Sequence, residues 1–291
     1  MIKNFVRIFL IIFLLTPLLS GCVKLAFRLA PSLVPNLTQA IFEECDQNLA
    51  KDSIPADLKL MEGLLKNDPE NKELLIALSM GFTGYAMMFV EEDDPERASN
   101  LYLRAKAYGI RAIGPKAPLL EQSGFKDENI RNRLNAIGEE EHLKPLFWTV
   151  MAWNAWINLN LDKPGALAQL GMAQACLEKV LDIKPDYFYG TPYILMGSLL
   201  AARPRMLGGD EAKAKAYFKK AMKVTQGRFF LVHYYYAKHY AVRAQDKGLF
   251  LKLINSVASS SPDALKEMCL INAVMKEKIK RLNDKMDELF I

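Results

Sequence analysis

The chain has 291 residues, 51% hydrophobic and 24% charged, with 16 Gly and 14 Pro, which excludes a disordered or acidic-tail protein and any low-complexity or collagenous class. Its 38 basic and 33 acidic side chains leave a formal charge of +5, and this falls to +3 without the first 21 residues, which hold Lys3 and Arg7 and no acid. That excess is too small to argue for a nucleic-acid partner.

Residues 1–21 have the layout of a secretory signal: a short basic start at Lys3 and Arg7, an apolar stretch over residues 8–15, then Thr16, Pro17 and small residues. The apolar stretch is too short to span a bilayer comfortably. Leu19-Ser20-Gly21-Cys22 resembles the bacterial lipobox, in which the Cys is diacylated through sulfur, the signal is cut just before it and the new amino group is acylated. The alternatives are an ordinary cleavage site or an anchor helix with a chance Cys. The lipobox is preferred because four consecutive positions match at the right distance from the apolar stretch. Several acyl chains give stable anchoring where one gives marginal binding, so Cys22 is the expected lipidation site. Val23 stands where lipoproteins kept in the inner membrane usually have Asp, which points to the periplasmic face of the outer membrane. The expected organisation is a signal over residues 1–21, a lipid-anchored connector over 22–36 and one helical domain over 37–291. Of the other cysteines, Cys176 and Cys269 lie among apolar residues at helical spacing, so small core residues are the better reading than a disulfide or metal role.

Beyond the connector, apolar residues recur at three and four rather than two, and no convincing strand alternation occurs, so the domain reads as all-α. Three stretches, 74–90, 145–161 and 187–202, lack any charged residue but carry Gly or Asn; helices buried on both sides by neighbours explain them. Charged amphipathic stretches follow each, over 95–111, 164–183 and 211–224. Buried helix then amphipathic helix, repeated, is the pattern of a helical solenoid or a bundle of hairpins. The repetition has a period: Pro69, Met80, Gly81, Ala98, Tyr102 and Ala105 have counterparts 116 residues on at Pro185, Met196, Gly197, Ala214, Phe218 and Ala221. Small residues on the first helix, then small, aromatic and small on the second with a closing Pro, is the tetratricopeptide pattern, here with lengthened turns. Asp94 and Asp210 both stand at helix N-cap positions.

At the carboxyl end Leu265, Asn272, Ile279 and Met286 interleave with Met268, Met275, Leu282 and Leu289, after Ser261-Pro262-Asp263. The spacing predicts one long helix with a narrow apolar seam, read as a terminal cap on the stack because its other faces carry Lys and Glu.

Chemistry-bearing patterns are sparse. Of the three His, His233 and His239 have no Cys or carboxylate at metal-ligand spacing, His142 reads as the end of a solvated acidic turn, and no nucleophile elbow, zinc-protease helix or phosphate loop occurs. The expectation is no catalysis, no metal and no cofactor. Gly208 and Gly209 before Asp210 could cradle an anion, but Asp210 and Glu211 already place negative charge there, so a structural turn is the better reading. Arg203 and Arg205, flanking Pro204 at the end of an uncharged helix, could hold a ligand carboxylate; pairing with neighbouring carboxylates or helix carbonyls is the better reading. Aromatic density is high around Trp148, Trp153 and Trp156, around 187–193 and over 229–240. Trp148, Trp153, Trp156, Tyr193, Arg203 and Tyr234 are therefore the candidates to line a ligand groove or channel.

Tyr189-Gly190-Thr191-Pro192-Tyr193, Ala201-Ala202-Arg203-Pro204, Leu207-Gly208-Gly209-Asp210, Ala214, Tyr217-Phe218 and Ala221 resemble the core signature of the TRAP transporter T-component family. Tyr236-Ala237-Lys238-His239-Tyr240 and Asp246-Lys247-Gly248-Leu249-Phe250 are similar to it as well. The resemblance implies a periplasmic lipoprotein built from cryptic tetratricopeptide-like hairpins. It also implies a solute-binding protein of a tripartite ATP-independent periplasmic transporter as partner, a possible homotrimer and a hydrophobic cleft or pore in each subunit. The function expected is an accessory subunit that docks that partner and binds or conducts a hydrophobic or carboxylate-bearing ligand. A lipid-anchored helical scaffold for envelope assembly is the alternative. A cell-wall lytic enzyme would need a catalytic module with an acid Glu, for which no segment is left.

Overall fold

The computed structural model describes residues 30, 32–121, 130, 132, 134–137 and 140–290. The expected secretory signal over residues 1–21, the expected lipidation site Cys22 and Val23 lie outside the described residues. Every element among those residues is helical, and none is a strand.

Helix α1 (Leu33–Glu43) takes in the end of the expected connector. Pro35 fits in its first turn, where backbone N–H groups have no intrahelical acceptor. Helix α2 (Gln47–Asn67) is capped by Asp46, which accepts from the N–H of Asn48 and Leu49. Helix α3 (Lys72–Tyr85) runs into a π-turn at Ala86–Val90. Asp94 caps α4 (Pro95–Ile113), whose Pro occupies a position that needs no N–H bond. Then come α5 (Glu140–Leu159), a single turn at Pro164–Leu167, and α6 (Leu170–Ile183). The chain continues through α7 (Tyr187–Ala202), α8 (Glu211–Val224) and α9 (Phe230–Tyr235), which ends in a second π-turn at Tyr236–Ala241. Helices α10 (Lys247–Ala258), α11 (Cys269–Asp284) and the one-turn α12 (Met286–Leu289) complete it.

The three uncharged stretches are α3 with its π-turn, α5 and α7. Residues Lys72–Val90 are long and apolar enough to cross a membrane, but 67% of their most apolar window is buried in the protein, as a core helix flanked on both sides would be. From α2 to α11 each helix packs on its successor, and α3 also meets α5, α7 meets α9 and α9 meets α11. The two copies 116 residues apart use matching positions alike. Ala98, Tyr102 and Ala105 on α4 are fully buried, as are Ala214, Phe218 and Ala221 on α8. Asp94 accepts from the N–H of Arg97 at 3.0 Å and Asp210 from that of Lys213 at 2.9 Å. Gly197 leaves room for the Phe218 ring, 3.1 Å from where its Cβ would stand, whereas Gly81 makes room for Leu58 instead.

Five expectations need correction. Cys269 is not a free core residue but is disulfide-bonded to Cys45, with Cα atoms 5.1 Å apart; Cys45 lies in the α1–α2 turn, so only tertiary packing makes the pair visible. Cys176 is a free, buried cysteine. The C-terminal seam is not one helix: residues Pro262–Met268 form a 3₁₀ segment bent at Leu265, and α11 ends before Lys285. Asn272 Nδ2 holds that bend by donating to the carbonyls of Pro262 and Arg228, each at 2.9 Å. Nor is α11 an outermost cap, since it packs on α1 and α2 as well as on α9 and α10, bringing the two ends of the described chain together. The amphipathic stretch 164–183 is interrupted at Ala168 and Gln169, where Gln169 Oε1 accepts from the Trp153 indole at 2.8 Å and from Lys106 at 3.0 Å. Finally His142 is no solvated turn residue; it is buried in the first turn of α5, while Glu140 and Glu141 face water.

Candidate functional site

A cleft of about 430 Å³ opens between α1, α3, α5, α7 and the 3₁₀ segment. Its floor is aromatic because of one unusual turn. Phe188, Tyr189 and Gly190 at the start of α7 have φ of 44°, 58° and 78°, a full left-handed turn. Only Gly adopts that region freely, and each L-residue there costs about 1–2 kcal/mol. The rings offset that cost by packing: Phe188 lies 4.9 Å from Trp148, 5.6 Å from Phe42 and 5.8 Å from Phe147, centroid to centroid. Trp148, 5% exposed, thus sits against the floor. The rim carries the exposed charges of Glu73, Lys144 and Glu267. Burial pushes the Tyr187 phenol to about 12, leaving it a neutral donor. Strained backbone of this kind gathers at ligand clamps, and an apolar hollow with a few polar groups at its edge is the usual form of a ligand site.

The other candidates lie elsewhere. Trp153 is buried on a different side of α5, bonded to Gln169, with Lys106 Nζ 3.8 Å over its ring. Trp156 is partly buried, and its carbonyl accepts from Asn160 Nδ2 at 2.7 Å. The steps of five and three residues between the tryptophans spread them around the helix, so they do not form one wall. Tyr193 lies 6.0 Å from Tyr217, centroid to centroid, with the rings tilted at 38°, beside Lys220. Arg203, Pro204, Gly209 and Asp210 line a separate small pocket after α7; Gly208, at φ 85°, ends the 3₁₀ turn there. A Cβ on Gly209 would strike the carbonyl of Arg203, so that turn closes only with Gly.

Tyr234 belongs to a charged cluster that joins α9 and its π-turn to α11 and to Glu92, just after the first π-turn. Its hydroxyl donates to Glu92 at 3.0 Å and accepts from Lys238 at 3.0 Å. Lys278, only 7% exposed, bonds Glu92 at 2.9 Å, and Arg281 approaches it at 3.3 Å. Burial alone would raise the Glu92 pKa, but Lys278 and Tyr234 outweigh it and hold the carboxyl below the usual range. Neighbouring Glu91 accepts from Tyr102, and Tyr235 donates to Met87 Sδ at 3.5 Å. The cluster therefore joins the end of one π-turn, at Glu91 and Glu92, to the start of the other, at Tyr234, Tyr235 and Lys238; π-turns are frequent at functional sites. Burial pushes the imidazoles of His233 and His239 down to about 4, so both are neutral near pH 7. Among the described residues no group of His, Cys, Asp and Glu is arranged to hold a metal.

The sequence reasoning missed Phe42 and Glu92 as partners, and it named Phe188 only as part of an aromatic run. Three aromatics followed by Gly, which permits φ > 0, were the available signal for the left-handed turn.

Among the described residues, an all-helical body thus presents an aromatic hollow with charges at its rim, the form of a ligand-binding site. A match to the TRAP transporter T-component family covers residues 43–290, and the chain belongs to that family. Its members are transport subunits that associate with other TRAP components, membrane-associated and periplasmic in location. An uncharacterized protein of Treponema pallidum (strain Nichols) is 22% identical over 269 residues, covering 87% of this chain and 83% of its own.

Proposed function

We propose that the protein is the lipid-anchored accessory subunit of a TRAP system, held at Cys22 on the periplasmic face of the outer membrane. Residues 1–21 act as its export signal and 37–291 as one domain of tetratricopeptide-like hairpins. It docks the solute-binding protein of the system and takes an apolar or carboxylate-bearing ligand. The observation that carries the ligand half of this reading is the cleft at Trp148 and Phe188, where a strained turn aims aromatic surface into a hollow with a charged rim. The Cys45–Cys269 disulfide fits an exported, oxidising compartment. The alternation of buried and amphipathic helices, with matching residues 116 apart, supports the hairpin description.

The test is a pull-down with the mature protein, Cys22→Ser so that it stays soluble, from the periplasmic extract of its own source. Recovery of a solute-binding protein is expected, and sedimentation of the same material reads whether it is a trimer. Recovery of cell-wall or outer-membrane assembly proteins in its place would overturn the transporter role and favour a scaffold.

A further inference from the structure

Two hollows flank α1 and share it as a wall. On one side Pro35, Thr38, Gln39 and Phe42 border the aromatic cleft. On the other, Leu33, Leu37 and Ile41 stand across a groove of about 290 Å³ from Leu49, Leu60 and Leu64 of α2. A helix with a hollow on each side has little to hold it. Val34 is the only buried residue of its 11, against five buried residues in α2 and nine in α3. Ser32 gives it no side-chain cap, and among the described residues no hydrogen bond links it to another helix; Gln39 Nε2 donates to Glu43 in the same helix at 2.6 Å. Segments with so few buried contacts are the first to open.

The firm attachment is at its carboxyl end. Residues 44–46 are non-helical, with Glu44 extended and Asp46 capping α2, so the angle between the helices can change there while α2 stays in place. Exposed Cys45, in the middle of that bend, is bonded to Cys269, the fully buried first residue of α11. The present position of α1 leaves little aromatic surface open: Trp148 is 5% exposed, and the Phe42 ring stands 5.6 Å from that of Phe188. A second resting place is ready on the other side. Leu33, Leu37, Leu49 and Leu60 are 44–62% exposed around the groove, and closing α1 onto α2 would take that apolar surface out of water.

We propose that α1 is a movable wall of the aromatic cleft, hinged at residues 44–46 and pinned there by the Cys45–Cys269 bond. Swinging towards α2, it carries Phe42 away from Phe188, fills the groove with its leucines and admits an apolar ligand to the rings. Swinging back, it closes over the ligand. This deepens the ligand reading of the cleft and rests on it, but the motion itself is measured with no ligand present, so the two can fail separately.

The test uses the Cys22→Ser protein well below its thermal midpoint. In hydrogen exchange read by mass spectrometry, the amides of α1 are expected to exchange at least about tenfold faster than those of α3, and about tenfold faster again in Cys45→Ser, with α3 and α5 unchanged. Stopped-flow binding of prodan, a neutral naphthalene fluorophore, reads access to the cleft. In Cys45→Ser its association and dissociation rates should both rise about tenfold, with Kd changing less than about threefold, because an unpinned wall speeds entry and exit alike. Leu60→Asn keeps the disulfide and lies outside the cleft but removes apolar surface from the open position, so both rates should fall about threefold. Exchange of α1 as slow as that of α3, or prodan rates unchanged in both variants, overturns the proposal. A rise in the dissociation rate alone does so too, since the bond would then only support a fixed cleft. If prodan does not bind the parent, the ligand reading fails and the exchange rates alone decide on the wall.

Discussion

Cys45 and Cys269 stand 224 residues apart in sequence, yet their Cα atoms are 5.1 Å apart, so one bond ties the α1–α2 turn to the start of α11. Closing so long a loop restricts the unfolded chain strongly, by about 5 kcal/mol in the chain-entropy account. Reduction, or Cys269→Ser, is expected to lower the thermal midpoint by about 10 °C or more. Differential scanning with and without a membrane-permeant phosphine reductant checks this, and an unchanged midpoint would mean that packing of α1 on α11 suffices.

Asn272 is the second clasp of the same region. It is fully buried, accepts from the Phe230 N–H at 2.8 Å and donates to the carbonyls of Arg228 and Pro262. Asn272→Ala takes a partner from three backbone groups, the buried Phe230 N–H and the part-buried carbonyls of Arg228 and Pro262. At about 1 kcal/mol or more for each, urea denaturation should record a loss of about 3 kcal/mol. Asn272→Asp, which keeps the acceptor but not the donor, should fall no less far.

Gly209 and Gly63 make a controlled pair. A Cβ at Gly209 would collide with the Arg203 backbone, whereas nothing stands within 4 Å of one at Gly63, inside α2. Gly63→Ala should therefore stabilise by about 0.5–1 kcal/mol through helix propensity. Gly209→Ala should destabilise and move the signals of residues 203–211. Equal midpoints for the two variants would contradict the turn geometry.

The pH dependence has a definite sign. His233 is 1% exposed and burial lowers its pKa from 6.5 to about 4, although the Phe229 carbonyl pulls the other way. The unfolded chain then binds a proton near pH 6.5 that the folded chain refuses until about pH 4, so stability falls as pH drops through that window and levels off below it. For His233 the loss amounts to about 3 kcal/mol. His239, shifted the same way by burial and by Lys238, adds to it. Denaturation curves for His233→Leu should be flatter across the window than those of the parent. Glu92, held low by Lys278 and Tyr234, contributes stability above its unfolded pKa that disappears only at more acid pH.

The aromatic cleft makes a prediction about binding rather than stability alone. An apolar fluorescent probe should lose about tenfold in affinity in Trp148→Ala or Phe188→Ala, while Trp156→Ala, outside the cleft, keeps it. Equal loss in all three would place the probe elsewhere.

The family, the all-helical class and the helix pairs were legible in the sequence because each rests on local pattern. Three-and-four apolar spacing, Asp before a charged helix, and small and aromatic residues recurring 116 positions apart are all read along the chain. Tyr102 and Phe218 are buried as their shared position requires. What connects distant segments was not legible. Nothing within 20 residues of Cys269 hints at Cys45, and the clean seam over 265–289 concealed that Asn272 bends the preceding segment back onto itself. The tryptophans of α5 formed one group in sequence but separate surfaces in space, since a helix turns successive side chains outward in all directions. Periodicity specifies which face of a helix is buried, whereas the partner against which it is buried depends on how the helices cross. Thus the sequence by itself determined the all-helical class, most of the helices in their order and the family, while the break in the C-terminal seam, the closure of the two ends and the left-handed turn beneath the cleft were decided only when the helices packed.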